Sequence, residues 1–512
     1  MSHFDCAQCD PEYQPKGSKD CPKILPVIRQ DLTIALEIFA ISFALNSYNL
    51  PQNLFFSHEQ GRDAAAIEQI YKNQDLRLIG TKTEIEGFFS PPWYYYLMTI
   101  PYGFSGGSPI AASFFLIVLT STTAPIIYLL ARDLLKSINW AAAAGITAAF
   151  SWEIISYSRW LSNVTLAFPA TALAYFFLYK YASTKNQKFF LIFAIAATTA
   201  AQFQITLTFQ FLFVLAALRL TKLIKLPSIK IIALSIAFFI IVFSPLIAFD
   251  FKNQYLITKS LANFLSGQSS FKLNLDLLDS AILYSKELTT VIARSNLNIT
   301  SPLARTSFFS LLFLGLYLFL KKKKARETFL FVLIISFMSL GIFIFNVGLT
   351  QLYQGTAIGW IILTTIALSA LWNHKQTRIF ALVLLSLLIS AWLQNFKNLK
   401  NNEGFFFAPE QNVLRLKDQK ALIDFMHNDA QVRPYRFESL TVPFLQSEGW
   451  QYLQEYYYPH QESKHSKLAY IAIEKNIPQF WEEKWIEDLG KSDLVFEKNF
   501  GQIRLQKRTI TD

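Results

Sequence analysis

No cysteine follows Cys21 in this 512-residue chain, so disulfides brace nothing beyond its extreme N-terminus. The three that exist, Cys6, Cys9 and Cys21, form one CAQC pair and an irregular remainder. A zinc site wants two close ligand pairs, so they read as reduced thiols of an unstructured tail. Charge is scarce too, at 16% against 52% hydrophobic residues, with a mean hydropathy of +0.29. The first 31 residues have no apolar core and carry Pro11, Pro15, Pro22 and Pro26, which excludes a signal peptide and leaves a disordered cytosolic tail over 1–31. A P-loop, GxGxxG, HExxH, GxSxG and internal repeats are all missing, so nucleotide-driven transport and zinc hydrolysis have no support.

What is present in abundance is apolar run after apolar run, the mark of a polytopic α-helical membrane protein. Windows near 32–49, 108–131, 139–157, 161–182, 188–202, 203–220, 231–249, 306–320, 327–347, 355–372 and 377–395 give about eleven transmembrane helices, with only Gln202 and Gln204 separating the fifth from the sixth. Basic residues fall on alternate connections: the tail, Arg132/Lys136, Lys180/Lys185/Lys188, Arg219/Lys222/Lys225, the KKKKAR run from Lys321, and His374/Lys375/Arg378. By the positive-inside rule these are cytoplasmic, and an odd number of spans leaves the C-terminus outside. The formal charge of +11 is thereby a matter of topology and anionic headgroups, and no nucleic-acid partner is expected.

The remaining connections face outward in this scheme: 50–107, the turn at Arg159, 250–305, the QLYQG from Gln351, and everything from 396 on. Segment 396–512 alternates apolar and polar residues in LAYIAI from Leu468, at Leu494–Phe496 and at Ile503–Leu505. Those runs, a helical stretch near 414–427 and a hairpin through Asn499-Phe500-Gly501 predict a small mixed α/β domain. Trp450, Tyr452 and Tyr456–Tyr458 read as its core or as an interfacial belt.

The polar insert Ser57–Tyr96 carries the chemistry. It places Glu59, Arg62, Asp63, Glu68, Asp75, Glu84 and Glu86 directly after the first span, and ionisable groups beside a membrane mark function. From Gln60 to Lys72 the apolar period is helical, so Glu59, Arg62 and Asp63 share a face at i, i+3 and i+4. Glu84 and Glu86 read as solvated loop charges, and no metal is expected. Pro91-Pro92 followed by Trp93 and three tyrosines suits a chain re-entering the membrane at headgroup level. Glu153 is an acid inside the third window.

Three pieces resemble one family. Glu59-Gln60-Gly61-Arg62-Asp63 is similar to its D/E-x-G-R-D signature, Gly87-Phe88-Phe89-Ser90-Pro91-Pro92-Trp93-Tyr94-Tyr95-Tyr96 to its H-x-P-L-Y-Y-Y element, and Ser158-Arg159-Trp160-Leu161-Ser162-Asn163 to its S-R-x-x-x-N turn. The family is the GT-C integral-membrane glycosyltransferases related to protein O-mannosyltransferases and aminoarabinose transferases. By motif the resemblance spans 32–250; beyond that it is architectural. It implies a GT-C transmembrane domain over 32–395 with its catalytic loop at 50–107, and inverting transfer of a sugar from a polyprenyl-phosphate carrier to a glycan, lipid or protein acceptor outside the membrane. An acidic residue of the first outer loop is the base in that family. Position 59 holds Glu where Asp is usual, and Ser90-Pro91 stands where His and a small residue are usual, which leaves Glu59 and Asp63 both open as the base.

Such chemistry needs a carboxylate to take the acceptor's proton and a cation to face the leaving lipid phosphate. Arg62 and Arg159 are the outer-face cations by position, Arg294 a third, and Trp93 or Tyr94 offers a ring for sugar stacking. The donor is a substrate, so no cofactor is expected. The protein belongs in the plasma or inner membrane, with lipids as further partners. Two other classes fit the same composition: a transporter or flippase of lipid-linked sugars, which would show charged or broken helices at mid-membrane, and a polyprenyl-linked glycan polymerase or ligase, which differs in product size.

Overall fold

The computed structural model describes residues 24–83, 86–266, 277–298, 301–321, 325–345, 350–405, 414–431, 433–441, 446–459, 462–463, 465–475 and 477–511. The cysteine tail, Glu84 and the middle of the KKKKAR run lie outside the described residues.

Each of the eleven apolar windows contains helix, and seven helices among the described residues are long and apolar enough to cross a membrane. The windows that fall short hold Ile138–Ala149, Ala167–Thr184, Gln187–Phe203 and Leu207–Leu220. Three of these are shorter than a bilayer requires, and Ala167–Thr184 is diluted by Tyr175, Tyr179, Lys180 and Tyr181. Two boundaries differ from the sequence reading. The first helix begins at Ile24, inside the segment read as tail, and the last, Arg378–Asn401, runs past residue 396. The long connection 250–305 also holds two helices, Leu256–Leu265 and Leu277–Ile292.

The bundle is organised round Gln354–Asn373, whose apolar window is 89% buried. Small residues let its neighbours approach closely, as expected where lipid removes the hydrophobic drive between helices. A Cβ at Gly315 would meet Ala367 O at 2.6 Å, and one at Gly359 would meet Ser336 Cα at 2.6 Å. Ile229–Lys252, by contrast, is only 11% buried and turns Ile236, Ile240 and Ile241 outward, a face suited to lipid.

Three of the basic connections and the start of the first helix converge at one end of the bundle. Lys180 pairs with Asp133 at 2.6 Å, Arg132 with Asp31 at 3.2 Å, and Lys185 Nζ donates to Leu223 O at 2.8 Å. At the other end Gln204 donates to Gln351 O at 2.6 Å, Asn163 to Phe203 O at 2.9 Å, and Tyr452 OH to Gly107 O at 2.7 Å, and here the C-terminal domain sits.

That domain is a four-stranded mixed sheet, order β1-β2-β4-β3, with β1 Arg436–Leu440 parallel to β2 Leu468–Glu474, and β3 Ser492–Phe500 and β4 Ile503–Ile510 forming the expected hairpin. Leu416–Ala430 packs on β3 and β4, and Ile471 and Ile473 on the other face meet Trp485 and Ile486 of Gln479–Asp488. Of the two readings left open for these aromatics, core or interfacial belt, Trp450 and Tyr452 take the core.

The domain grips the polar insert through two glycines. Helix Glu448–Tyr457 crosses helix His58–Asn73 where Gly61 and Gly449 meet backbone to backbone; a Cβ at Gly61 would overlap Gly449 Cα, and one at Gly449 would lie 2.6 Å from Ser57 O. Gly449→Ala is therefore expected to lose about 1–3 kcal/mol, read as a lower Tm and earlier proteolytic release of the C-terminal domain. Gly103→Ala is the control, its nearest outside atom being Tyr71 Cγ at 4.0 Å.

Candidate active site

Helix His58–Asn73 opens with a reciprocal cap: Ser57 N and Ser57 Oγ donate to Gln60 Oε1 at 3.0 and 2.7 Å. Gln60 Nε2 in turn reaches Leu161 O at 3.4 Å, which ties the helix start to the Arg159 turn. The three charged residues of the motif lie on this first stretch of helix, as the spacing required.

Asp63 is 5% exposed. Arg62 donates to its Oδ1 through Nε at 3.1 Å and Nη2 at 3.0 Å, and the Tyr95 hydroxyl donates to the same oxygen at 2.9 Å. Oδ2 accepts none of these. Burial pushes the Asp63 carboxyl above the usual carboxylate range, and Arg62 and Tyr95 pull it back without cancelling that rise. Burial opposes the Arg62 charge, yet Asp63, Tyr95 and Glu59 together raise its pKa. Glu59 is half-buried and within electrostatic reach of Arg62. His58, beside it, has its pKa lowered by burial and by Arg62, opposed by Glu448 of the C-terminal domain.

The other expected residues scatter. Trp93 is 41% exposed and spends its indole N–H on Val242 O at 2.7 Å, fastening the insert to the lipid-facing helix Ile229–Lys252. Tyr94 is 2% exposed and packs beside Tyr95, with ring centroids 6.1 Å apart. Arg159 is 4% exposed, and its Nη1 donates to Asn46 O at 3.0 Å and Tyr48 O at 2.8 Å, at the end of the first helix. Arg294 lies in a π-helical turn, Ala293–Leu297, against helix Trp152–Ser158, where it and Glu287 act electrostatically on Glu153. Glu153 is fully buried, and neither of its carboxylate oxygens has a hydrogen-bond partner. Among the described residues no three His, Cys, Asp or Glu side chains converge as a metal cluster.

Tyr95 is the site residue that the sequence reading passed over. It stood inside the quoted Tyr94-Tyr95-Tyr96 run, but three tyrosines in a row give no sign of which one faces the acid.

The whole-chain architecture now has a counterpart. The chain matches ArnT from Cupriavidus metallidurans in the apo state over 94% of its own length and 98% of that chain, with a TM-score of 0.58 at 12% identity. It has the fold of ArnT. The ArnT structure bound to undecaprenyl phosphate matches with equal coverage, a TM-score of 0.56 and 11% identity. An Archaeoglobus fulgidus oligosaccharyltransferase in complex with zinc and sulfate matches at a TM-score of 0.47 and 12% identity, over 86% of this chain and 68% of that one. No protein family profile and no curated protein sequence matches. The ArnT fold agrees with the GT-C architecture that the motifs implied.

Removing the Tyr95 hydroxyl tests the geometry directly. Tyr95→Phe takes one donor from a buried carboxylate, an expected loss of about 1.5–3 kcal/mol at a pH where Asp63 is ionised. The loss should shrink as pH falls and Asp63 becomes protonated, which denaturation at a series of pH values would record.

Proposed function

We propose that this protein transfers a sugar from a polyprenyl-phosphate carrier to an acceptor hydroxyl on the C-terminal-domain side of the membrane, which the positive-inside pattern assigns as outside. The observation that carries this reading is the Asp63 carboxylate, held by three donors on one oxygen, on the helix of the Glu59-to-Asp63 motif. The fold shared with an ArnT that has been seen with undecaprenyl phosphate supports a lipid-linked donor.

In this reaction the acceptor oxygen attacks the anomeric carbon as the bond from that carbon to the phosphate oxygen breaks. The acceptor proton passes to Asp63 Oδ2, and the bonding electrons leave with the phosphate. Asp63 is the base we favour over Glu59, because its donors fix the carboxylate and leave one oxygen open. Its raised pKa also makes it a stronger base than an exposed aspartate. Arg62, half-exposed beside it, faces the charge growing on the phosphate. Trp93 keeps an exposed ring for sugar contact. Tyr94, being buried, acts by packing Tyr95 against the acid.

The assay is release of polyprenyl phosphate by purified protein in lipid, with a panel of sugar donors. Asp63→Asn is expected to lower kcat by about 10²–10⁴ and Glu59→Gln by less; equal rates for wild type and Asp63→Asn in folded protein would sink the assignment. The pH profile gives a second handle. Because the Asp63 pKa lies above the usual carboxylate value, the rate should fall as pH drops through a point above that value, and this limb should vanish in Asp63→Asn.

A further inference from the structure

Arg159 was expected to share the leaving phosphate with Arg62, and its surroundings describe a different site. A pocket opens where four stretches of chain meet: the short helix Leu50–Asn53 with Phe55, the Arg159 turn, the end of the last helix at Asn402 and Phe405, and the entrance to the C-terminal domain at Leu414 and Arg415. Backbone bonds hold the seam together, Phe56 N to Leu414 O at 3.3 Å and Leu416 N to Leu54 O at 2.9 Å. Two arginines and two asparagines line it, with no carboxylate among the described lining residues.

Two buried donors among the described residues there have no acceptor. Arg159 uses Nη1 on the carbonyls of Asn46 and Tyr48, where the end of the first helix offers about half a negative charge. Its Nη2 is buried and has no hydrogen-bond partner, and so is the Asn53 amide Nδ2. Arg415 reaches the Asn402 side-chain oxygen through Nε and Nη2, both at 3.2 Å once that amide faces it. The Phe405 ring lies 5.9 Å from the Arg159 guanidinium and adds only a weak cation–π contact. Burial lowers the Arg159 pKa to about 10, so the group remains a cation at neutral pH, and none of the described acids acts on it to offset the charge. A buried cation without a counter-charge is a costly arrangement that proteins keep for a partner.

We propose that the pocket lined by Arg159, Asn53, Asn402 and Arg415 binds a phosphate ester at headgroup level. Donors approach it from several chain segments, which suits a tetrahedral oxyanion better than a planar carboxylate, and guanidinium forks are the natural partners of phosphate oxygens. Its level in the membrane follows from the aromatics around it. Tyr48 packs on Phe396 with centroids 5.5 Å apart, and Trp152 packs on Phe405 at 4.9 Å while donating to Gly404 O at 2.8 Å, a belt of the kind found at headgroups. The phosphate belongs either to an anionic glycerophospholipid of the surrounding leaflet or to a soluble phosphate monoester, each with the net negative charge that zwitterionic phosphatidylcholine lacks. The site does not depend on Asp63 or on the transfer reaction.

The test measures thermal unfolding of the full chain by tryptophan fluorescence, without sugar donor, in two arms. One titrates inorganic phosphate against chloride at constant ionic strength in neutral phosphatidylcholine nanodiscs; the other compares those discs with discs containing phosphatidylglycerol. A saturable rise in Tm is expected in at least one arm: with phosphatidylglycerol alone if a lipid headgroup is the ligand, with inorganic phosphate if a soluble monoester is. Arg415→Gln should weaken half-saturation at least about tenfold with little change of Tm in chloride, and Asp63→Asn should leave the response intact. Arg159→Gln should lose the response and also lower the baseline, since two helix-end carbonyls lose their donor. No rise in either arm, or a rise that Arg415→Gln leaves unchanged, would overturn the proposal and leave Arg159 as a helix-end cap alone.

Discussion

A carboxylate withdrawn from water keeps its charge only if donors replace the water, and Asp63 has its three on a single oxygen. Everything else around the insert serves that arrangement. Tyr95 reaches the acid because helix Trp93–Phe104 packs along helix His58–Asn73, and Pro91-Pro92 fix where that second helix begins. Arg62 reaches it from the preceding residue. The helix itself cannot slide, since Ser57 and Gln60 close its start and Gly61 lies hard against Gly449. The glycine of the EQGRD motif thus has a steric reason: a larger residue would lift the C-terminal domain from the helix that carries the acid.

Most of the membrane architecture was legible because hydropathy and basic connections are local signals. Even the break between the fifth and sixth windows was marked by Gln204, which caps one helix and bonds across to Gln351. The closing hairpin of the C-terminal domain was legible for the same reason, its alternation and its glycine turn being contiguous. The helices within 250–305 were hidden by their polar residues, and β1 is five residues long with a parallel partner more than thirty positions away. Gly449, Asn53 and Arg415 owe their importance to contacts between distant segments, and no spacing rule reveals those. The motif placed Glu59, Arg62 and Asp63 on one helix; only the fold adds Tyr95 and separates the partners of Arg159 from theirs.

That separation matters physically. Arg62 is paired with an acid and half-exposed, whereas Arg159 is buried with carbonyls and a ring for company. A paired cation has its charge largely answered in the resting state, and an unpaired one does not. Arg159 is accordingly suited to holding a standing anion, and Arg62 to meeting one that develops.

The Arg62–Asp63 pair also links the two halves of the proposed reaction. While Asp63 is ionised, Arg62 is held to it by two hydrogen bonds and its field is largely spent on that carboxylate. When Asp63 takes the acceptor proton, the pair becomes a cation beside a neutral acid, at the moment when charge accumulates on the departing phosphate. Proton transfer thereby strengthens the field on the leaving group without any movement of the guanidinium, and burial of Asp63 amplifies the change because little water is present to screen it. In the proposed reaction the buried carboxylate and the half-exposed cation next to it act as one unit, which gives a reason for the two to be neighbours on one helix.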